Sequence, residues 1–178
     1  MKKFFLSLFF NFCLITSCST QPPEERPDYA IIAHNLRVDV GNLLSKKYNL
    51  NFIGFSGSMM DDVKEIGLSF RCTQKTTIEE ARPLVIACAE ELLHQVNANE
   101  EIRPYLHNYP FESKNISIEI FLCAPGKPET LPYLDLVGAK RGNIYYYSND
   151  IMIIHKESYD KAKKIIDETG VKPIPCGK

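Results

Sequence analysis

Residues 76–99, TTIEEARPLVIACAEELLHQVNAN, constrain the fold more than any other stretch of this chain. Ala81, Val85, Cys88, Leu92 and Val96 recur at steps of three and four, and Leu84, Ala89 and Leu93 widen the stripe. Glu79, Glu80, Arg82, Glu90, Glu91, His94 and Gln95 fall on the other faces. The pattern predicts an amphipathic helix whose apolar side must be buried against a partner. Thr77 and Glu80 have capping-box spacing, and the acidic first turn suits the positive end of the helix dipole. Pro83 lacks the N–H that would reach back to Glu79, so a kink, or the start of regular helix, is expected there.

The rest of the chain supplies that partner. Residues 29–48 read as a helix capped by Asp28, with Ile32, Leu36, Val40, Leu43 and Leu44 as its apolar stripe, although a glycine at position 41 weakens it. Residues 51–56 read as a strand ending in a turn at Gly57, and 63–72 as a second strand on Ile66, Leu68 and Phe70. After an irregular connector at 99–114, residues 115–123 turn Ile116, Ile118, Ile120 and Leu122 inward against Ser117, Glu119 and Phe121. Strands follow at 133–140, 143–148 and 151–155, with a hairpin turn at 141–143. A last helix at 158–169 rests on Tyr159, Ala162, Ile165 and Ile166 and stops at Gly170. The order αββαββββα has no regular βαβ alternation, which implies an α+β fold, a mainly antiparallel sheet with helices packed on one face. At 178 residues, 44% hydrophobic and 24% charged, the chain suits one domain over 29–178.

At the amino terminus Lys2 and Lys3 precede an apolar run over 4–15, and Ile15, Thr16 and Ser17 lead into Cys18. This resembles the lipobox of bacterial lipoproteins. The resemblance implies transfer of a diacylglyceryl group to the Cys18 thiol, loss of residues 1–17 as a signal peptide, and acylation of the new amine. Two or three acyl chains hold a protein firmly at about 0.8 kcal/mol per buried methylene, whereas one holds it marginally. The apolar run is too short to span roughly 30 Å of hydrocarbon. Residues 18–28, with three prolines, form a polar linker. In the sorting rule of enteric bacteria that goes with this resemblance, Ser19 rather than aspartate after the lipidated cysteine implies the outer membrane over the inner. Removing Lys2 and Lys3 with the leader leaves 19 basic against 22 acidic residues, which argues against a nucleic-acid partner. The expected partners are the membrane, through the lipid anchor, and a protein or envelope ligand.

Several patches carry chemically useful residues. The string Gly54, Phe55, Ser56, Gly57, Ser58 approaches a nucleophile elbow but lacks its last glycine, so a hairpin turn is expected instead. Asp61 and Asp62 have no surrounding calcium-loop spacing. Glu91 and His94 have half of a di-iron motif without its second copy. No cofactor or metal is expected. The connector IRPYLHNYPF packs Arg103, Tyr105, His107 and Tyr109 between two prolines, a combination that serves either as a recognition surface or as aromatic cover for the sheet. Apart from Cys13 and Cys18, four cysteines allow three complete pairings, among them a Cys72–Cys123 bridge if their strands are neighbours.

The strings GFSGSMMDDVKEIGLSF, at 54–70, and NEEIRPYLHNYPFESKNISIEIF, at 99–121, resemble uncharacterised lipoproteins of chlamydia-like intracellular bacteria. That resemblance implies a bacterial envelope location and assigns no site residue. A membrane-anchored, non-enzymatic binding or interaction module is the expected function. The alternatives are an envelope hydrolase using Ser56 or His107, and a structural envelope component.

Overall fold

A 21-residue helix, α1 (Asp28–Tyr48), opens the part of the chain described by the computed structural model, residues 28–177. The expected signal peptide, Cys18 and the linker up to residue 27 lie outside the described residues. Ala33, Leu36, Val40, Leu44 and Tyr48 turn from α1 into the core. Leu43, expected in this stripe, is 40% exposed, because the buried sector is centred on Leu36, Val40 and Leu44 and leaves Leu43 on its flank. Gly41 is explained by packing: a Cβ there would sit 2.7 Å from the Phe52 ring.

β1 (Asn51–Met59) and β2 (Val63–Arg71) form an antiparallel hairpin. The turn expected at Gly57 is not there. Gly57 pairs with Ile66 inside the ladder, where an added Cβ would meet the Glu65 carbonyl at 2.6 Å, and the chain reverses over 60–62. This glycine serves a close backbone approach rather than a bend.

α2 (Ile78–Ala98) then crosses the sheet and returns the chain to β3 (Ile116–Phe121), which lies parallel to β2. A crossover of this length is what parallel pairing requires. Every other pairing is antiparallel: β4 (Leu136–Lys140), β5 (Asn143–Ser148) and β6 (Met152–Ser158) follow in order, so the six strands are arranged β1 to β6. α3 (Tyr159–Thr169) closes the fold, with the Ser158 hydroxyl accepting from the Lys161 N–H and Gly170 ending it at φ 64°. The architecture is α+β in the expected order. The fourth and sixth strands begin later than their sequence pattern suggests, and β6 extends to Ser158.

α1 lies against β1 and β2, α2 against β3 and β4, and α3 against β5 and β6, with α2 touching both other helices. All three therefore cover one face. The α2 stripe is buried as its periodicity requires, with only Leu93 partly exposed, and it meets Ile66, Leu68, Ile116, Ile118 and Ile120 within one continuous core. The Thr77 N–H donates to Glu80 at 2.9 Å. Pro83 sits inside α2, so it does not mark the start of the helix.

Two linkages stiffen this covered side. Cys72 and Cys176 form a disulfide, Cα–Cα 5.7 Å, that ties the C-terminal segment to the end of β2. A Cys72–Cys123 bridge is ruled out by the sheet itself: Cys72 belongs to the core beneath the helices, whereas Cys123 lines a cavity on the opposite side. Glu157 of β6 is 5% exposed and receives hydrogen bonds from Arg82 of α2 at 2.7 Å and Tyr146 of β5 at 2.6 Å.

Candidate functional site

Alternation along each strand leaves the neighbours of every core residue on the uncovered face, and the register aligns them into rows. One row runs Ser56, Gly67, Ser117, Lys140, and the next runs Gly54, Ser69, Glu119, Gly138, Tyr145, Lys156. A third runs Arg71, Phe121, Leu136, Tyr147, Ile153. Small residues thus occupy the middle of β1 and β2, at Gly54, Ser56, Gly67 and Ser69, while Glu65 and Arg71 stand toward the two ends of β2 and charged and aromatic residues gather over β3 to β6. None of the three α-helices packs on this face among the described residues.

Two cavities open there. The first, about 210 Å³, lies where the parallel strands β2 and β3 end, between Arg71, Phe121, Cys123, Lys127 and Ile151. The second, about 150 Å³, lies over Gly138 between the rings of Tyr145 and Tyr147, whose centroids are 6.4 Å apart. Glu119 forms part of its floor and accepts from the Ser69 hydroxyl at 3.2 Å, while Lys140 and Arg141 stand at its edge. Lys156 covers the Tyr145 ring at 5.1 Å. The row through Phe121, Leu136 and Tyr147 joins the two cavities.

Arg71, Lys127, Lys140, Arg141 and Lys156, gathered around the two cavities, make no ion pair among the described residues; Arg37, Lys46, Arg103, Lys161 and Lys172 elsewhere make none either, and Lys47, Lys64, Lys75, Arg82, Lys114, Lys163 and Lys164 each have a carboxylate. The carboxylates lining the two cavities are Glu119, Asp135 and Asp150. Asp135 is 1% exposed and already engaged, one oxygen with the Glu129 N–H and the other with the Ile151 N–H at 3.1 Å. It fixes a rim in which Asn149, Asp150 and Ile151 all have positive φ, the last at 64°, a conformation that a β-branched residue adopts only under external constraint. Burial, with Asp135 and Glu129 nearby, pushes the Cys123 thiol above its ordinary range, so at neutral pH it is a protonated wall of the cavity rather than a nucleophile.

The connector residues are divided between separate neighbourhoods. Tyr105 packs on Tyr29, ring centroids 5.9 Å apart, and against the core. The His107 ring meets Asp62 at 2.6 Å and its main-chain N–H donates to the Val63 carbonyl, fastening the connector to the β1–β2 turn. Arg103 stacks on Tyr109 at 4.9 Å, and both reach the Asn97 carbonyl near the end of α2. Tyr109 remains 52% exposed. None of the four lines either cavity of the uncovered face.

Ser56 lies on β1 with its hydroxyl over Gly67, in an antiparallel edge strand rather than at a strand-to-helix elbow. Glu91 pairs with Lys47 across the α1–α2 contact at 2.6 Å, and His94 is exposed. Met59 packs against the core, while Met60 is 83% exposed at the turn.

No family model matches the chain, and neither a curated protein nor a solved structure matches it. The site must be read from its own geometry. Sequence reasoning missed Arg71, Glu119, Lys140, Tyr145, Tyr147 and Lys156 because nothing in their spacing joins them; strand register does. The available signal was the outward alternation of each strand, which had already set Glu119 and Phe121 apart from the core.

Proposed function

We propose that this chain is a lipid-anchored, non-enzymatic binding module of the bacterial envelope, taking an anionic ligand on the helix-free face of its sheet. The observation that carries the reading is the collection of cations without carboxylate partners among the described residues around two adjoining, aromatic-lined cavities. Charges left without partners on a rigid sheet are available to a ligand at little reorganisation cost. Tyr145 and Tyr147 supply flat apolar area beside them, the combination common at binding hot spots.

Export is supported independently by the Cys72–Cys176 bridge, since disulfides persist in oxidising compartments outside the cytosol. The lipobox around Cys18 supports the anchor. Tyr29, in the first turn of α1, donates to the Met60 carbonyl at 2.7 Å, so the linker enters beside the β1–β2 turn. The larger cavity lies at the other end of β2, roughly 26 Å away at about 3.3 Å per strand residue.

The anchor is tested by replacing Cys18 with serine and following detergent partitioning and intact mass: membrane association and a lipid-sized mass should disappear together. The ligand face is tested on immobilised dextran sulfate. Lys140→Glu combined with Arg141→Glu should elute at clearly lower salt than the parent protein, while Lys161→Glu with Lys164→Glu, the same charge change on α3, should not. Equal shifts for the two pairs would dismiss the face as the binding surface.

A further inference from the structure

Within the face proposed above, the two cavities differ in what they offer a ligand. The cavity over Gly138 is a dip between tyrosine rings, open along the sheet. The cavity at the ends of β2 and β3 is larger and has a defined donor. The Arg71 side chain is part-exposed on this cavity, and its Nε, shielded from solvent, has no hydrogen-bond partner among the described residues, which leaves a donor unanswered. Lys127 stands on the same cavity, and Phe121, Ala124, Pro125 and Ile151 give it apolar walls. Asp135 does not answer Arg71, because its two oxygens already receive the Glu129 and Ile151 amides. Asp150 lies on the exposed rim.

We infer that the strand-end cavity binds a carboxylate attached to a compact apolar body, with Arg71 holding the carboxylate and Phe121 lying against the apolar part. At about 210 Å³ the cavity is smaller than the roughly 300–1,000 Å³ typical of whole small-molecule sites, so it takes a small acid or the acidic end group of a longer molecule. Guanidinium is the suitable cation because its planar fork matches a carboxylate, and the donor found idle belongs to that fork. This assignment deepens the anionic-ligand reading and rests on it.

Cys123 gives the cavity a built-in reporter: among the described residues it is the free cysteine that is not fully buried, and reading its own peptide keeps Cys13 and Cys18 of the full chain out of the measurement. Iodoacetate and iodoacetamide alkylate a thiolate by the same displacement: sulfur bonds to the methylene carbon and iodide departs with the electron pair. Only iodoacetate carries a carboxylate. With the full chain in detergent, without reductant and above the ordinary thiol value of 9.0, the ratio of iodoacetate to iodoacetamide incorporation at Cys123 is read by peptide mass spectrometry. Relative to the urea-unfolded chain, this ratio should rise about tenfold, the effect of one charge-assisted hydrogen bond. It should return to the unfolded value in Arg71→Met. Excess phenylacetate should slow iodoacetamide labelling of the parent protein, and phenylacetamide should not, a readout that needs no variant. A ratio at or below that of the unfolded chain, or equal protection by both phenyl compounds, overturns the inference. Preference retained in Arg71→Met overturns the role of Arg71. Retention on dextran sulfate that survives any of these failures would leave the broader face reading standing.

Discussion

On the helix-covered face, Glu157 lies almost out of solvent between Arg82 and Tyr146, and Glu90 at the α2–α3 contact receives Tyr159 and Lys163, each at 2.7 Å. On the other face Arg71, Lys140 and Lys156 stand without a carboxylate among the described residues, beside tyrosine rings and glycine-floored space. Both faces belong to the same strands and alternate residue by residue. The difference is therefore one of partnership. Glu157 and Glu90, buried between elements, are engaged in fixing helix against helix and sheet, and the cations beside the two cavities of the bare face have no carboxylate among the described residues. Substitutions on the covered face should change stability and leave ligand retention alone, and substitutions on the open face should do the reverse.

The hardest test of that division is Glu157→Ala. It leaves the Arg82 guanidinium without its carboxylate and the Tyr146 hydroxyl without an acceptor, a loss of roughly 3–5 kcal/mol in urea unfolding. Burial alone would raise the Glu157 carboxyl, but hydrogen bonds from Tyr146 and Arg82 overcome it and hold it below its ordinary value of 4.5. A lowered carboxyl stabilises the fold fully above the unfolded value, and that stabilisation is lost as pH falls through the folded one. The gap between parent and variant should hence be constant at neutral pH and narrow below about pH 4.5. A gap that widens in acid would mean the carboxylate is not engaged as described.

The cysteines make a second, smaller contrast. Cys176→Ala opens a linkage spanning 104 residues on the covered side and should cost about 2–4 kcal/mol, read by urea unfolding without reductant. Cys123→Ala, at the open face, should cost well under half of that. If the two losses are similar, Cys123 is part of the scaffold after all.

How far all this could be read from the amino-acid string differs sharply between the faces. The covered side is a matter of period. Ala81 through Val96, and Ile116 through Leu122, declare their buried positions by spacing alone, and the α+β order follows from them. The open face is a matter of register. Arg71, Glu119 and Tyr145 lie on three strands, the first separated from the second by a whole crossover helix, and no local pattern states that they are neighbours. The connector from Arg103 to Tyr109 stood out for its composition, yet composition does not say where rings point, and its members hold the chain ends of α2 and the β1–β2 turn. Gly57 misled for a related reason: a glycine inside a strand and a glycine in a turn look identical until the opposing carbonyl is known.

Two further glycines give the division its finest test. Gly41 on the covered side faces the Phe52 ring at 2.7 Å, so Gly41→Ala must displace an aromatic ring within packed core and should destabilise by about 1–3 kcal/mol despite the better helix propensity of alanine. Gly138 on the open side has only the Ile118 carbonyl at 3.5 Å and the Glu119 side chain at 4.0 Å, ordinary contact for a methyl group. Gly138→Ala should leave stability unchanged or raise it by up to about 1 kcal/mol, since alanine restricts the unfolded chain. The same methyl would occupy the dip between Tyr145 and Tyr147, so the variant should elute from dextran sulfate at lower salt than the parent protein, although no charge has changed. Stability gained and retention lost in one substitution is an outcome that packing alone does not produce. If Gly138→Ala binds as tightly as the parent, the dip is only a seam between rings and the ligand face shrinks to the cavity beside Arg71.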